Sequence, residues 1–140
     1  MTTVAGGSEI SEATRRVRIT AGSASAEATL DGSRTATAVW AALPISAPAQ
    51  TWGDEIYFDI GTAIAPESPK AVVERGDLGY WPPGQAFCVF FGPTPASTGD
   101  EIRPASPVNV FGRVAGDPTV FKKVRSGTTV RIERAGGGGR

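Results

Sequence analysis

The chain has 140 residues, 40% of them apolar, with 14 basic residues balancing 14 acidic ones; that suits one domain with one core and not a protein built to grip nucleic acid, which needs a basic face. Histidine is absent and Cys88 is the single cysteine. Their scarcity removes Ser-His-Asp and Cys-His nucleophiles, imidazole metal sites and any internal disulfide, so the sequence predicts no metal, no cofactor and no catalytic constellation.

A lone thiol suits a reducing compartment. No apolar run approaches a membrane span and the first residues hold no signal-like apolar region, so a soluble, cytoplasmic protein away from membranes is expected. Eighteen glycines and eleven prolines exceed average shares of about 7% and 5%. With short apolar runs between them, they predict a mainly β domain.

Residues 1–13 (MTTVAGGSEISEA) are polar and unpatterned and read as a flexible leader, and residues 135–140 (AGGGGR) as a Gly-rich flexible tail. Between them, residues 14–134 form the domain. Thr14–Ala21 alternates with Val17 and Ile19 on one face, and Ser25–Asp31 with Ala26, Ala28 and Leu30 inward, joined at Gly22-Ser23 as a hairpin. Asp31-Gly32-Ser33 offers an N-cap, and Ala36, Val39, Trp40 and Leu43 follow at helical spacing until Pro44. Strand patterns then appear at Ile45–Ala49, Asp54–Ile60, Ala71–Glu74, Asp77–Trp81 and Ala86–Phe91, with Pro82-Pro83-Gly84 as a turn. Pro93–Pro107 reads as loop, Val108–Val114 as strand, Asp117–Val124 as a short helix with Pro118 at its first position, and Thr128–Arg134 as a closing strand. About eight short strands and two short helices predict a closed barrel, which also removes exposed edges. Phe87, Val89 and Phe91 alternate with Cys88 and Phe90, so one set should face the core and the other an outer helix, with Cys88 an inert, buried thiol.

The run Val110-Phe111-Gly112-Arg113-Val114, followed by Gly116, Val120 and Lys123-Val124, resembles the C-terminal signature of cyclophilins. Three longer blocks resemble the cyclophilin-like family of small prokaryotic proteins of uncharacterised function: Thr51–Phe58, Gly76–Gly84 and Pro104–Gly112. This resemblance covers about Thr14 to Arg134 and implies a closed eight-stranded cyclophilin-like β-barrel with two short helices. It implies no activity. Aligned on Phe111-Gly112, the ring-stacking tryptophan of the cyclophilin prolyl isomerases is replaced by Arg103 and the pocket histidine of that isomerase site by Val108. Gln85 lies one residue out of register with the isomerase's glutamine, and Glu55–Asp59 holds no arginine where the essential one is expected. A one-residue slip turns a strand side chain to the other face.

Ligand-binding candidates are therefore Arg103, as a clamp for a carboxylate, Trp52, Tyr80 and Trp81, as an aromatic wall at the barrel mouth or else as packing, and Glu55. Asp54 and Glu55 are adjacent on a strand and point to opposite faces, a poor acid–base couple; the inward one is expected to pair with Arg103 or Arg75. Three functions compete. One is a binding module for a small anionic molecule or a peptide; another is a weak prolyl isomerase. The third is a subunit or regulator of a carboxyltransferase or amidohydrolase system, since cyclophilin-like barrels also form such domains. Oligomeric state is not legible.

Overall fold

A computed structural model describes residues 15–135; the leader and nearly all of the tail lie outside the described residues. The elements are β1 (Arg16–Ala21), β2 (Ala24–Leu30), helix α1 (Arg34–Ala42), β3 (Ile45–Pro48), β4 (Gln50–Thr51), β5 (Glu55–Asp59), β6 (Asp77–Trp81), β7 (Ala86–Phe90), β8 (Asn109–Val114) and β9 (Thr129–Arg134). Two 3-10 turns, Pro82–Gly84 and Pro118–Lys123, complete the set.

The strands form one antiparallel sheet in the order β3-β9-β1-β2-β8-β6-β7-β5-β4. Its two end members, β3 and β4, are parts of one continuous segment separated only by Ala49. Ala49 is itself held, its N–H donating to the Thr128 carbonyl at 2.7 Å and its carbonyl accepting from Gly127 at 2.8 Å. The segment therefore pairs with β9 by its first half and with β5 by its second, which closes the cylinder. Counted as one strand, it makes the barrel eight-stranded, as expected.

Period-two alternation fills the interior. Val17 and Ile19 of β1, Ile56 and Phe58 of β5, Leu78 and Tyr80 of β6, and Phe87 and Val89 of β7 are all buried in one cluster. Phe58 and Phe87 stack at 5.1 Å between centroids, and Phe111 meets Phe87 edge-on at 5.2 Å, the offset geometries that aromatic quadrupoles favour.

Each barrel end has a stopper. At one, Ser33 caps α1, its Oγ accepting from the Ala36 N–H at 3.0 Å, and Thr35, Ala36 and Val39 are buried. Thr35 reaches Asn109, the first residue of β8. At the other end, Asp117 caps the second 3-10 turn and Phe121 is wholly buried beneath it. Pro118 there lies near Gly76, whose carbonyl accepts from Val114, the last residue of β8.

Two expectations change. Ala71–Glu74 is not a strand: it contributes one bridge, Val73 to Ile102, because its neighbours are loop rather than sheet. Among the described residues no outer helix covers Cys88 and Phe90; a second apolar cluster with Val73, Ile102 and Val108 does so, built from loop segments. The short helix expected after Asp117 is present as a 3-10 helix over Pro118–Lys123. Among the described residues no helix is long and apolar enough to cross a membrane.

Candidate functional site

The outward faces of β5, β7 and β6 point away from the barrel core, so the residues of opposite parity gather there. Glu55 and Tyr57 come from β5, Cys88 from β7 and Trp81 from β6. With Trp52, Pro104, Ala105 and Val108 they line a recess of about 210 Å³. It sits on the outer wall of the barrel rather than at its mouth, because the wall residues on β5, β6 and β7 belong to the outward register. An apolar cavity of about 150 Å³ is enough to take benzene, so this one holds a single ring with a short substituent.

Local chemistry sets each wall. Trp52 precedes a tight turn in which its N–H donates to the Glu55 carbonyl at 3.0 Å. Gly53 makes that turn with φ of +62°, and a Cβ there would lie 2.8 Å from Pro95 and 2.9 Å from the Thr94 backbone. Only glycine meets both conditions. Opposite, Trp81 Nε1 donates to Ser106 Oγ at 2.6 Å, which fixes the plane of its ring. The Pro82–Gly84 turn closes behind it, and Gly84 lies so close to the indole that a Cβ would meet ring carbons at 2.8 Å.

Glu55 is the polar element of the recess. It is 5% exposed, and its Oε1 has no hydrogen-bond partner. Burial raises its pKa from the ordinary 4.5 to about 7, only partly opposed by a hydrogen bond with the Cys88 thiol. The same burial, together with the nearby Glu55 carboxyl, pushes the Cys88 thiol well up, so it stays a neutral thiol rather than a thiolate. The thiol's one proton has the Ala86 carbonyl, 3.9 Å away, as its alternative acceptor.

The sequence candidates separate in space. Trp52, Trp81 and Glu55 come together in the recess. Tyr80, adjacent to Trp81 on β6, turns into the core at 1% exposure, where its hydroxyl donates to the Thr62 carbonyl at 2.6 Å and accepts from the Ile64 N–H at 3.1 Å. Arg103 is not among the lining residues; its Nε lies 3.3 Å from Glu101. Glu101 is itself held by the N–H groups of Thr98 and Gly99, and these bonds, with the Thr98 backbone foremost, lower its pKa to about 2. Arg103 thus lies beside a carboxylate of its own, and neither it nor Arg75 pairs with Glu55. Asp54 points elsewhere, 3.9 Å from Lys122. Tyr57 and Cys88 are recess residues that the candidate set omitted. Tyr57 shares parity with Glu55 and sits opposite Cys88 in the β5–β7 register, so strand alternation carries the signal for both.

Comparison with known proteins bears on all of this. The Cyclophilin-like family model matches residues 15–133. The chain belongs to the cyclophilin-like family. Among solved structures, the solution structure of a hypothetical protein from Archaeoglobus fulgidus is similar, at 45% sequence identity and a TM-score of 0.76, covering 89% of this chain and 97% of that one. Among curated proteins, none matches the chain. Membership of the cyclophilin-like family therefore comes with a fold and with no assigned activity.

Proposed function

We propose that this cyclophilin-like domain is a binding module for a small molecule, or for one side chain of a peptide, seated in the outer-wall recess. The observation that carries the reading is the unpartnered Glu55 Oε1 buried behind apolar and aromatic walls. Buried polar atoms are nearly always bonded, and an exception on a side chain that lines a recess points to a ligand there. The expectation of an anionic ligand rested on Arg103. With that side chain engaged by Glu101, the recess offers a carboxyl and no cation, so the anion drops out of the proposal.

The reading predicts that stabilising ligands in a thermal-shift screen lose their effect in Trp52→Ala and Trp81→Ala and keep it in Arg103→Ala. A screen without stabilisers, or ligands indifferent to both tryptophans, would overturn it. A second reading, weak prolyl isomerisation, draws on Val108, which stands at the position aligned with the isomerase's pocket histidine and lines the recess. The neutral fraction of Glu55 is the available proton donor for the prolyl nitrogen in an apolar cup. A protease-coupled proline assay decides it: the uncatalysed rate removes the isomerase, and acceleration lost in Glu55→Ala supports it.

A further inference from the structure

We propose that the recess takes a small organic cation, a protonated amine on an apolar body of about one ring, with its ammonium against the Glu55 carboxyl and its hydrocarbon between Trp52 and Trp81. This rests on the recess being the binding site and adds the ligand's chemical class.

Three properties of the site converge on a cation. Glu55 lines the recess with a carboxyl whose Oε1 has no hydrogen-bond partner; an ammonium brings the counter-charge that a buried carboxylate lacks. Trp52, Tyr57 and Trp81 line the same space, and aromatic faces attract cations within about 6 Å of the ring centre, tryptophan most strongly. Finally, the lining contains no positive group to compete for the carboxylate. The groups facing Glu55 are few. From β7 comes Cys88, held as neutral thiol; from its own strand comes Tyr57; Pro104, Ala105 and Val108 do not titrate. A neutral apolar guest would fill the walls and leave the carboxyl without a counter-charge. An anionic guest would press charge against the carboxyl.

Binding should also carry a proton signature. Glu55 is close to half protonated at neutrality, and an ammonium binds only the ionised form, so binding expels the proton. Apparent affinity scales with the ionised fraction, which rises about tenfold between pH 6 and pH 8 for a group with a pKa of about 7.

The test uses three molecules of one shape and different charge: benzylammonium, benzyl alcohol and benzoate, titrated into the full chain at pH 6 and pH 8. The indole N–H signals of Trp52 and Trp81 report binding, with Trp40 as internal control, since it lies against Arg134 at 4.4 Å and not in the recess. The expected result is that benzylammonium binds tightest, about tenfold better at pH 8 than at pH 6. Glu55→Gln should then abolish both the preference and the pH dependence while leaving benzyl alcohol unchanged. Equal binding of the alcohol without pH dependence overturns the cation and leaves the recess as a site. So does a preference for benzoate that fades as pH rises. Silence of both tryptophans toward all three at millimolar concentration overturns the cation and the recess together. Should Glu55→Gln fail to fold, the charge ranking and pH response of the unmodified chain decide by themselves.

Discussion

Asn109 and Glu55 are both nearly sealed from water, at 1% and 5% exposure, yet their surroundings are opposite. Beneath α1, Asn109 Nδ2 donates to Thr35 Oγ1 at 3.1 Å and to the Ala65 carbonyl at 3.0 Å, while its Oδ1 accepts from the Glu67 N–H at 2.9 Å. Glu67 in turn accepts from the N–H groups of Arg34 and Thr35 and from the Thr35 hydroxyl, which caps the helix from a distant loop. Those bonds lower the pKa of Glu67, the Thr35 hydroxyl foremost. The Asn109 cluster is complete and holds a helix onto a barrel. The Glu55 site is incomplete, its pKa moved up rather than down. A fully bonded polar cluster marks architecture, and the contrast with the unsatisfied Glu55 oxygen is what the proposed binding role rests on.

The comparison breaks most visibly at Asn109. Asn109→Ala strands three partners and should lower stability by about 4 kcal/mol, read from the urea midpoint, without altering the pH dependence of ligand binding. At Glu55 the effect depends on pH. The folded carboxyl holds its proton more tightly than the unfolded one, so the stability that Glu55 contributes is fully present below pH 4.5 and is lost as pH rises toward 7. About 3 kcal/mol should be lost across that window, and Glu55→Gln should flatten the profile and be the more stable form at pH 8. A wild-type profile that is flat or rises through the window would mean that Glu55 is solvated. Gly84→Ala pushes a methyl against the Trp81 ring and should cost about 1 kcal/mol, with a larger shift in the Trp81 indole signal than in any other. Ser106→Ala should cost less than about 1 kcal/mol, yet loosen the Trp81 wall and weaken binding severalfold.

Much of the fold is legible because alternation and turn chemistry speak locally. The β1–β2 hairpin, the Ser33 cap, the Asp117 cap and the core parity of Phe87 and Val89 follow from a few neighbouring residues each. The site is only half legible. Tyr80 and Trp81 cannot share a face of one strand, so period two separates the core tyrosine from the recess tryptophan and ties Tyr57 to Glu55. The assignment of Arg103 is another matter. Its loop is knit by Thr94, Ser97 and Glu101 through side-chain bonds to backbone groups, an arrangement with no periodicity to read. Likewise nothing near Glu67 announces a helix cap 32 residues away.

The segment Ile45–Thr51 joins both margins of the sheet through a single alanine. It works as a zip fastener's last tooth: a proline or a proteolytic nick at Ala49 would free two hydrogen-bonding margins at once, not one. Each would present bare amides to other molecules, so the damaged protein should pass to strand-linked aggregates rather than to a quietly loosened monomer.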